Sequence, residues 1–185
     1  MAKCTRTWNE NVYRRYIREG RGQGTGADYK PWLTVRDFPS LGVVSRVKGQ
    51  KTGRIYHLMS TNETSLFYSL DWSDDVLDIR EQYPLLNLAE VIGIAEKARL
   101  RYPYDNKSGF PYVMTSDFFV ETTSGVVVLS VKPSSELEKP RVLEKSLKLS
   151  DDIGKRGTSS GKLLRSMKSI IQKPETLNGY RKQRI

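Results

Sequence analysis

Apolar side chains recur at helical spacing over residues 7–18, near the start of the printed sequence. The opposite side of the predicted helix carries three arginines: Arg14, Arg15 and Arg18. This pattern predicts a basic amphipathic helix that ends at Gly20. Such a helix can pack on the core with its apolar side and contact phosphates with its basic side.

Glycine occupies every second position from Gly20 to Gly26, and the basic residues Arg21 and Lys30 lie in or just after this stretch. No β pattern precedes the glycines and no clear helix follows them. The stretch therefore fits neither a dinucleotide-binding fingerprint nor a P-loop. We expect a flexible basic loop whose backbone can approach nucleic acid, and a plain linker is the alternative.

Residues 41–57 predict a second basic element, a hairpin with its turn near Gly49 and Gly53. It carries three candidate phosphate-binding residues: Lys48, Lys51 and Arg54.

A helix is predicted to follow at Ser60, which precedes Glu63 by three residues, the spacing of a capping box. From this local pattern alone, Glu63 is interpreted as a capping residue. Residues 76–85 predict a strand with alternating charges, which favours the edge of a sheet or a half-buried position. Residues 88–100 then predict an amphipathic helix or a turn-rich excursion.

Two runs of β character follow at 115–120 and 126–131, and a turn with Gly125 between them predicts a hairpin. Asp117 lies in the first strand and Lys132 directly follows the second, so the hairpin can bring them together. A carboxylate that holds Mg²⁺ and a lysine that steadies water and phosphate form the core of a metal-dependent nuclease site. Alone, the pair is weak support, because any hairpin can carry an aspartate and a lysine.

The net charge of +10 makes a polyanion the expected partner, with a merely soluble basic surface as the alternative. The charge is unevenly distributed: +8 over residues 1–56, −5 over 57–145 and +7 over 146–185. Basic arms around an acidic centre suit an enzyme that grips phosphates while its carboxylates hold a cation.

Single copies of cysteine and histidine exclude several kinds of site. Cys4 is the only cysteine, which rules out an internal disulfide or a cysteine-based zinc cluster, and we interpret it as an incidental thiol. His57 is the only histidine, so a Ser-His-Asp triad has one possible base and no supporting motif. No apolar run approaches a membrane span and no signal-peptide core follows Met1, so we expect a cytoplasmic protein without a membrane partner.

Taken together, these motifs make the chain resemble TnsA, the endonuclease subunit of heteromeric cut-and-paste transposases. The stretches that carry the resemblance are, in order, Glu19–Gly24, Asp28–Tyr29, Pro31–Val35, Lys51–Arg54, His57–Leu58, Ser60, Glu63, Ser69–Leu70, Trp72, Val76–Gln82, Met114, Ser116–Phe118 and Val131–Pro133. They cover most of residues 10–145 and are far more specific than the hairpin alone.

The resemblance implies an α/β restriction-endonuclease-like fold, with a mixed sheet flanked by helices. It also implies Mg²⁺-dependent cleavage of double-stranded DNA at the 5′ ends of a transposon. A TnsB-like recombinase would process the 3′ ends, and an ATP-dependent TnsC-like regulator would be a further partner. Carried over by position, Glu63, Asp117 and Lys132 are catalytic, so Glu63 would point into the site despite its capping serine. A non-catalytic remnant that binds DNA or partners is the alternative, and a stand-alone restriction-type nuclease is a weaker one.

One position departs from the family pattern inside the motif. The expected metal ligands are Glu63, Asp117 and the residue two places before Lys132, which is typically glutamine in TnsA and is Ser130 here. A serine hydroxyl is short and uncharged, so we expect a water bridge or a backbone carbonyl to replace a direct metal bond. Metal binding should then be weaker than in a glutamine form.

The tail departs more widely. We expect a catalytic domain over residues 1–145, with its core at about 40–145, and a basic irregular tail over 146–185 without the family's helical C-terminal domain. Codons allowed for Ser150–Lys155 also encode Glu-Arg-Arg-Tyr-Trp-Glu, a family-like sequence, in a frame shifted by one nucleotide. Our hypothesis is that a single-nucleotide shift near Lys145 replaced the native C-terminal part, and the alternative is a genuine basic linker.

Overall fold

The computed structural model describes residues 7–37 and 43–131 in full and the backbone of residues 164–170. These parts of the chain contain three α-helices and six strands. In chain order they are α1 (Glu10–Arg18), β1 (Ser45–Lys48), β2 (Ile55–Leu58), α2 (Thr61–Asp71), β3 (Val76–Pro84), α3 (Leu88–Lys97), β4 (Thr115–Thr122), β5 (Gly125–Val131) and β6 (Leu164–Ile170). A short 3₁₀ turn, Gly26–Asp28, lies between α1 and β1.

The strands form two sheets. Strands β1 and β2 make an antiparallel hairpin, and the second sheet has the order β3-β4-β5-β6. Strand β4 is antiparallel to β3 and to β5, whereas β6 is parallel to β5. This mixed sheet with helices is the α/β architecture that the family resemblance implies, so the predicted fold class is confirmed.

Helix α2 covers one face of the larger sheet. Its residues Leu66 and Phe67 pack in one buried cluster with Phe118 and Val120 of β4 and with Leu129 of β5. Apolar residues at alternate positions of β4 and β5 supply this face, as the period of two along a strand requires. The main core therefore lies between α2 and the hairpin that carries Asp117.

Local capping explains where the helices begin. Asn9, Ser60 and Asn87 each precede a helix, and each side chain accepts a hydrogen bond from the backbone N–H three residues later. Helix α1 ends at Arg18, and Gly20 follows it in the left-handed region, with φ +74°. The predicted basic helix, the helix capped by Ser60 and the helix from residue 88 are all confirmed.

The basic hairpin is also confirmed, with strands β1 and β2 joined by a turn that contains Gly49 and Gly53. The carboxylate of Asp71, the last residue of α2, accepts hydrogen bonds from the backbone N–H groups of Gln50 at 2.8 Å and Lys51 at 3.3 Å. This contact attaches the basic turn to the end of α2.

Strand β3 lies at the edge of its sheet, which confirms the first of its two predicted positions. Its charged residues are nevertheless buried, which the sequence did not predict. Asp78, Arg80, Glu81 and Gln82 are all buried. Ion pairs satisfy the charges: Arg54 with Glu81, and Arg80 with Asp78 and Glu121. A charge can be buried when such partners accompany it, which a strand's own sequence does not reveal.

The glycine-rich segment covers the outer side of β3, and we call residues 20–33 the clasp. The backbone N–H of Gly26 donates to Asp78 Oδ2 at 3.1 Å, and the Tyr29 hydroxyl donates to the Glu81 carbonyl at 3.1 Å. The backbone N–H of Trp32 donates to the Gln82 carbonyl at 3.3 Å. The prediction of a free loop is therefore wrong, because the clasp occupies an edge that would otherwise be open.

Strand β6 lies within the segment for which the sequence predicts an irregular tail. It pairs with β5 from Val126–Leu164 to Val131–Ile170. The outer edge of β5 offers backbone donors and acceptors that an extended segment can satisfy, so regular structure continues into the tail at this point. The other residues on which the tail and frameshift hypotheses rest lie outside the described residues.

None of the helices within residues 7–37 and 43–131 combines the length and the apolar composition needed to cross a membrane.

The clasp gives a prediction that rests on two glycines with nearly the same backbone conformation. Gly22 has φ +74° and Gly53 has φ +71°. A Cβ on Gly22 would lie 2.2 Å from Pro84 Cγ, whereas nothing lies within 4 Å of one on Gly53. Gly53→Ala should cost about 1 kcal/mol of backbone strain, and Gly22→Ala should cost about 2 kcal/mol more because the clasp must move off β3.

Urea denaturation of the two variants and the parent measures this difference. Equal free energies of unfolding for Gly22→Ala and Gly53→Ala would contradict the close packing of the clasp on β3.

Candidate active site

The hairpin of β4 and β5 stops pairing regularly at Asp117. Regular pairs run from Thr122–Gly125 to Phe118–Leu129. Beyond this pair, the Asp117 side chain forms the bonds between the two strands. Its Oδ2 accepts the backbone N–H of Val131 at 2.5 Å and the Ser130 hydroxyl at 3.2 Å. The two strands therefore diverge around a carboxylate.

The alternation of side chains keeps Asp117 and Ser130 out of the core under α2. Phe118 and Leu129 point into that core, and their neighbours Asp117 and Ser130 lie at the end of the regularly paired part of the hairpin, where the two strands diverge. Both are partly exposed. Of the predicted metal ligands, Asp117 and Ser130 are therefore in contact with each other. The predicted catalytic residue Lys132 lies outside the described residues.

Glu63 is buried in the third position of α2, with 6% of its surface exposed. Its Oε1 accepts the Ser60 hydroxyl at 3.0 Å, and its Oε2 accepts the Met59 backbone N–H at 2.9 Å. The local capping interpretation is therefore confirmed. Participation of Glu63 in a site with Asp117 stays a prediction.

The side-chain groups at Asp117 that could ligate a metal ion are both oxygen ligands, one carboxylate and one hydroxyl. Within residues 7–37 and 43–131, no three His, Cys, Asp or Glu side chains are placed to hold a metal ion. A set of few oxygen donors fits Mg²⁺, which is often held by one or two carboxylates and completes its shell with water and substrate phosphate. It does not suit zinc, which prefers nitrogen and sulfur ligands.

The predicted phosphate-binding residues fall into two groups. Six have exposed side chains: Arg14, Arg15, Arg18, Lys30, Lys48 and Lys51. Arg14 pairs with Glu10, and Arg15 with Glu19, across exposed helix surface where such pairs are weak.

The other two, Arg21 and Arg54, are engaged inside the protein. Arg54 donates to both Glu81 oxygens and to the Ile79 carbonyl, and its side chain is only 8% exposed. Arg21 pairs with Glu19 and with Asp37. Ion pairing turns these two guanidinium groups inward. They are therefore part of the fold's internal electrostatics.

Arg21 and Asp37 form a small network at the C-terminal end of α1. The Arg21 guanidinium lies 3.6 Å from the centre of the Tyr16 ring, and the Tyr16 hydroxyl donates to Asp37. Burial would raise the pKa of Asp37, but hydrogen bonds from Thr34 and the charge of Arg21 outweigh it and lower that pKa. Asp37 is thus held ionised as a structural carboxylate.

Helix α1 packs beside the segment that leads into β4. Trp8 Nε1 donates to the Pro111 carbonyl at 2.9 Å, and the Ser108 hydroxyl donates to the Trp8 carbonyl at 2.6 Å. The Tyr13 and Phe110 rings are also in contact. The apolar side of α1 is therefore committed to the core, which leaves its arginines on the outer side.

The single histidine is placed as a structural residue. Burial lowers the pKa of His57, and the nearby arginines lower it further against the opposing charge of Glu81. Its Nδ1 accepts the Val35 backbone N–H at 3.4 Å. A neutral ring in this position holds the turn after the clasp.

Sequence reasoning missed the role of Asp71. Its position at the end of a helix gives no local signal, because the backbone groups that it accepts from are twenty and twenty-one residues earlier. It also missed the conformation of Gln82, a non-glycine residue with φ +48°.

Comparison with known proteins gives two matches. Residues 73–151 match the family model described as TnsA-like endonuclease N terminal. Over 148 residues the chain is 43% identical to the transposon Tn7 transposition protein TnsA of Escherichia coli, an alignment that covers 78% of this chain and 53% of the relative. The chain thus spans about half the length of that relative. The chain carries a TnsA-like endonuclease N-terminal domain.

Proposed function

We propose that this chain is the nuclease part of a transposition system and cuts double-stranded DNA at the 5′ ends of a transposon with Mg²⁺. The observation that carries the proposal is the Asp117 carboxylate, placed where β4 and β5 diverge and joined to Ser130 and Val131. The match to a TnsA-like endonuclease domain supports the reaction class.

In this proposal Asp117 and Glu63 hold the metal ion, and Ser130 contributes through a water bridge or its carbonyl. When bound, Mg²⁺ would stabilise the charge that develops on the scissile phosphate and lower the pKa of the attacking water. Asp117 keeps its orientation through the hydrogen bonds from Val131 and Ser130. Lys132 positions the water and stabilises the phosphate charge.

The proposed DNA surface combines the outer side of α1, Lys30 and the turn between β1 and β2. These groups are exposed cations that can neutralise phosphates, and the turn is held in place by Asp71. Arg21 and Arg54 are left out because their charges are already paired. A TnsB-like recombinase and a TnsC-like ATP-dependent regulator would be the protein partners.

Asp117→Asn tests the catalytic assignment. It removes the carboxylate charge while keeping the shape, so Mg²⁺-dependent nicking of a plasmid carrying transposon ends should fall at least about 100-fold. The assay uses the full chain with the purified recombinase and regulator. Asp74→Asn is the control, because it removes an equal charge from an exposed residue of the α2–β3 turn.

Three other results would each count against the proposal. Undiminished nicking in Asp117→Asn would refute the site, and DNA binding without any nicking in the parent would favour a non-catalytic remnant. Cleavage in the absence of the recombinase would favour a stand-alone nuclease.

Ser130→Gln tests the departure inside the motif. A glutamine carbonyl can reach a cation that a serine hydroxyl does not, so the Mg²⁺ concentration for half-maximal nicking should fall by roughly tenfold, the effect of about one added interaction. Ser130→Ala, which lacks both groups, should require more Mg²⁺ than the parent. Equal Mg²⁺ dependence in the parent and Ser130→Gln would refute this prediction.

Replacing Lys48 and Lys51 by glutamine tests the DNA surface. The double variant should bind end DNA more weakly, and the slope of log affinity against log salt should fall by about 2, since two phosphate contacts are lost. Fluorescence anisotropy over a salt series measures both quantities.

The matched control replaces Lys97 and Lys107, two exposed lysines outside the proposed surface, by glutamine. An equal loss in both double variants would mean that net charge, and not this turn, governs binding.

A further inference from the structure

Gln82 is held in a conformation that a side chain disfavours. It has φ +48°, and only Arg99 shares a positive φ among the described residues other than glycine. Arg99 is exposed after a helix end, where a left-handed residue is common, whereas Gln82 is 4% exposed in the middle of β3. A strained residue persists only where its surroundings enforce the strained conformation, so the contacts around Gln82 must hold its backbone there.

The kink changes the direction of the β3 backbone. Successive carbonyl groups of a regular strand point to opposite sides. Here the backbone carbonyls of Glu81 and Gln82 both accept hydrogen bonds from the clasp. The Glu81 carbonyl accepts the Tyr29 hydroxyl, and the Gln82 carbonyl accepts the backbone N–H of Trp32. The clasp thus engages two consecutive carbonyls, which requires the backbone to depart from regular β geometry between them.

Gln82 lies opposite Asp117 in the sheet. The flanking pairs are Glu81–Phe118 and Tyr83–Ser116, which fixes this register. Its side-chain Oε1 accepts the Thr115 hydroxyl at 3.2 Å. Thr115 and Asp117 are two residues apart and therefore share a face of β4. The amide of Gln82 is bonded to the strand segment from which Asp117 reaches Val131 and Ser130.

We propose that Gln82 is a positioning residue for Asp117. Its left-handed backbone joins the clasp to β3, and its amide fixes Thr115 and with it the start of β4. The strain is retained because a residue with regular β-strand dihedral angles at this position would lose either the hydrogen bonds to the clasp or the hydrogen bond to Thr115. This inference rests on the proposed function of Asp117 in metal binding.

The test compares Gln82→Gly, Thr115→Val and the double variant in the full chain. Glycine accepts the left-handed backbone but lacks the amide, and valine keeps the shape of threonine without its hydroxyl. The first readout is hydrogen exchange of the Val131 amide by NMR without metal, because Asp117 accepts that N–H. The Val128 amide in the middle of β5 is the internal reference for global opening. The second readout is the Mn²⁺ dissociation constant by calorimetry.

Each single variant should speed Val131 exchange relative to Val128 by about tenfold and weaken Mn²⁺ binding by up to that factor, the equivalent of one hydrogen bond. The double variant should be no worse than either single one, since both remove the same bond. Thr115→Ser, which keeps the hydroxyl, should restore parental values. Arg99→Gly, the control for removing a positive-φ side chain, should leave both readouts unchanged.

Parental exchange and Mn²⁺ affinity in both Gln82→Gly and Thr115→Val would overturn the positioning role. If Asp117→Asn abolishes Mn²⁺ binding in that case, the proposed function survives without it. If Asp117→Asn binds Mn²⁺ as the parent does, the proposed function fails and the positioning role fails with it. Should Gln82→Gly not fold, the comparison of Thr115→Val with Thr115→Ser decides the question alone.

Discussion

Strand β3 buries charge on both of its faces, and the fold supplies an opposite charge for each. Glu81 meets Arg54 from the β1–β2 hairpin, while Arg80 lies between Asp78 and Glu121 on the other face. An unpaired charge in these positions would cost several kcal/mol, more than most single contacts return. The β1–β2 hairpin, the clasp and β4 are therefore held against β3 by ion pairs and hydrogen bonds to its buried charges as well as by apolar packing.

The elements themselves were largely predictable from the sequence. Apolar spacing and capping residues located α1, α2 and the β4–β5 hairpin, because these signals act over a few residues. The environment of β3 was not predictable in the same way. Its alternating charges favoured an edge or half-buried position, and only contacts from distant segments, Arg54 and the clasp, make full burial of those charges favourable.

The candidate site likewise has parts that local sequence predicts and parts that depend on distant segments. The hairpin alone predicted that Asp117 lies beside the end of the second strand, because a short hairpin fixes its own register. Ser130 was identified only through the family resemblance. The phosphate-binding group could be predicted only as a set, because six of its basic residues are exposed while Arg21 and Arg54 pair with carboxylates from distant segments. Backbone strain at Gln82 has no signature in residue type at all, since glutamine is not among the residues that favour a left-handed conformation.

Helix α2 connects the buried Glu63 to the basic turn between β1 and β2. Its first turn holds Glu63, and its last residue, Asp71, holds the basic turn of the hairpin. Asp71 follows Glu63 by eight positions, which correspond to about 12 Å of helix, a length that cannot stretch without breaking backbone hydrogen bonds. The basic turn and Glu63 therefore lie at the two ends of a rigid spacer, and the helix fixes the distance between them.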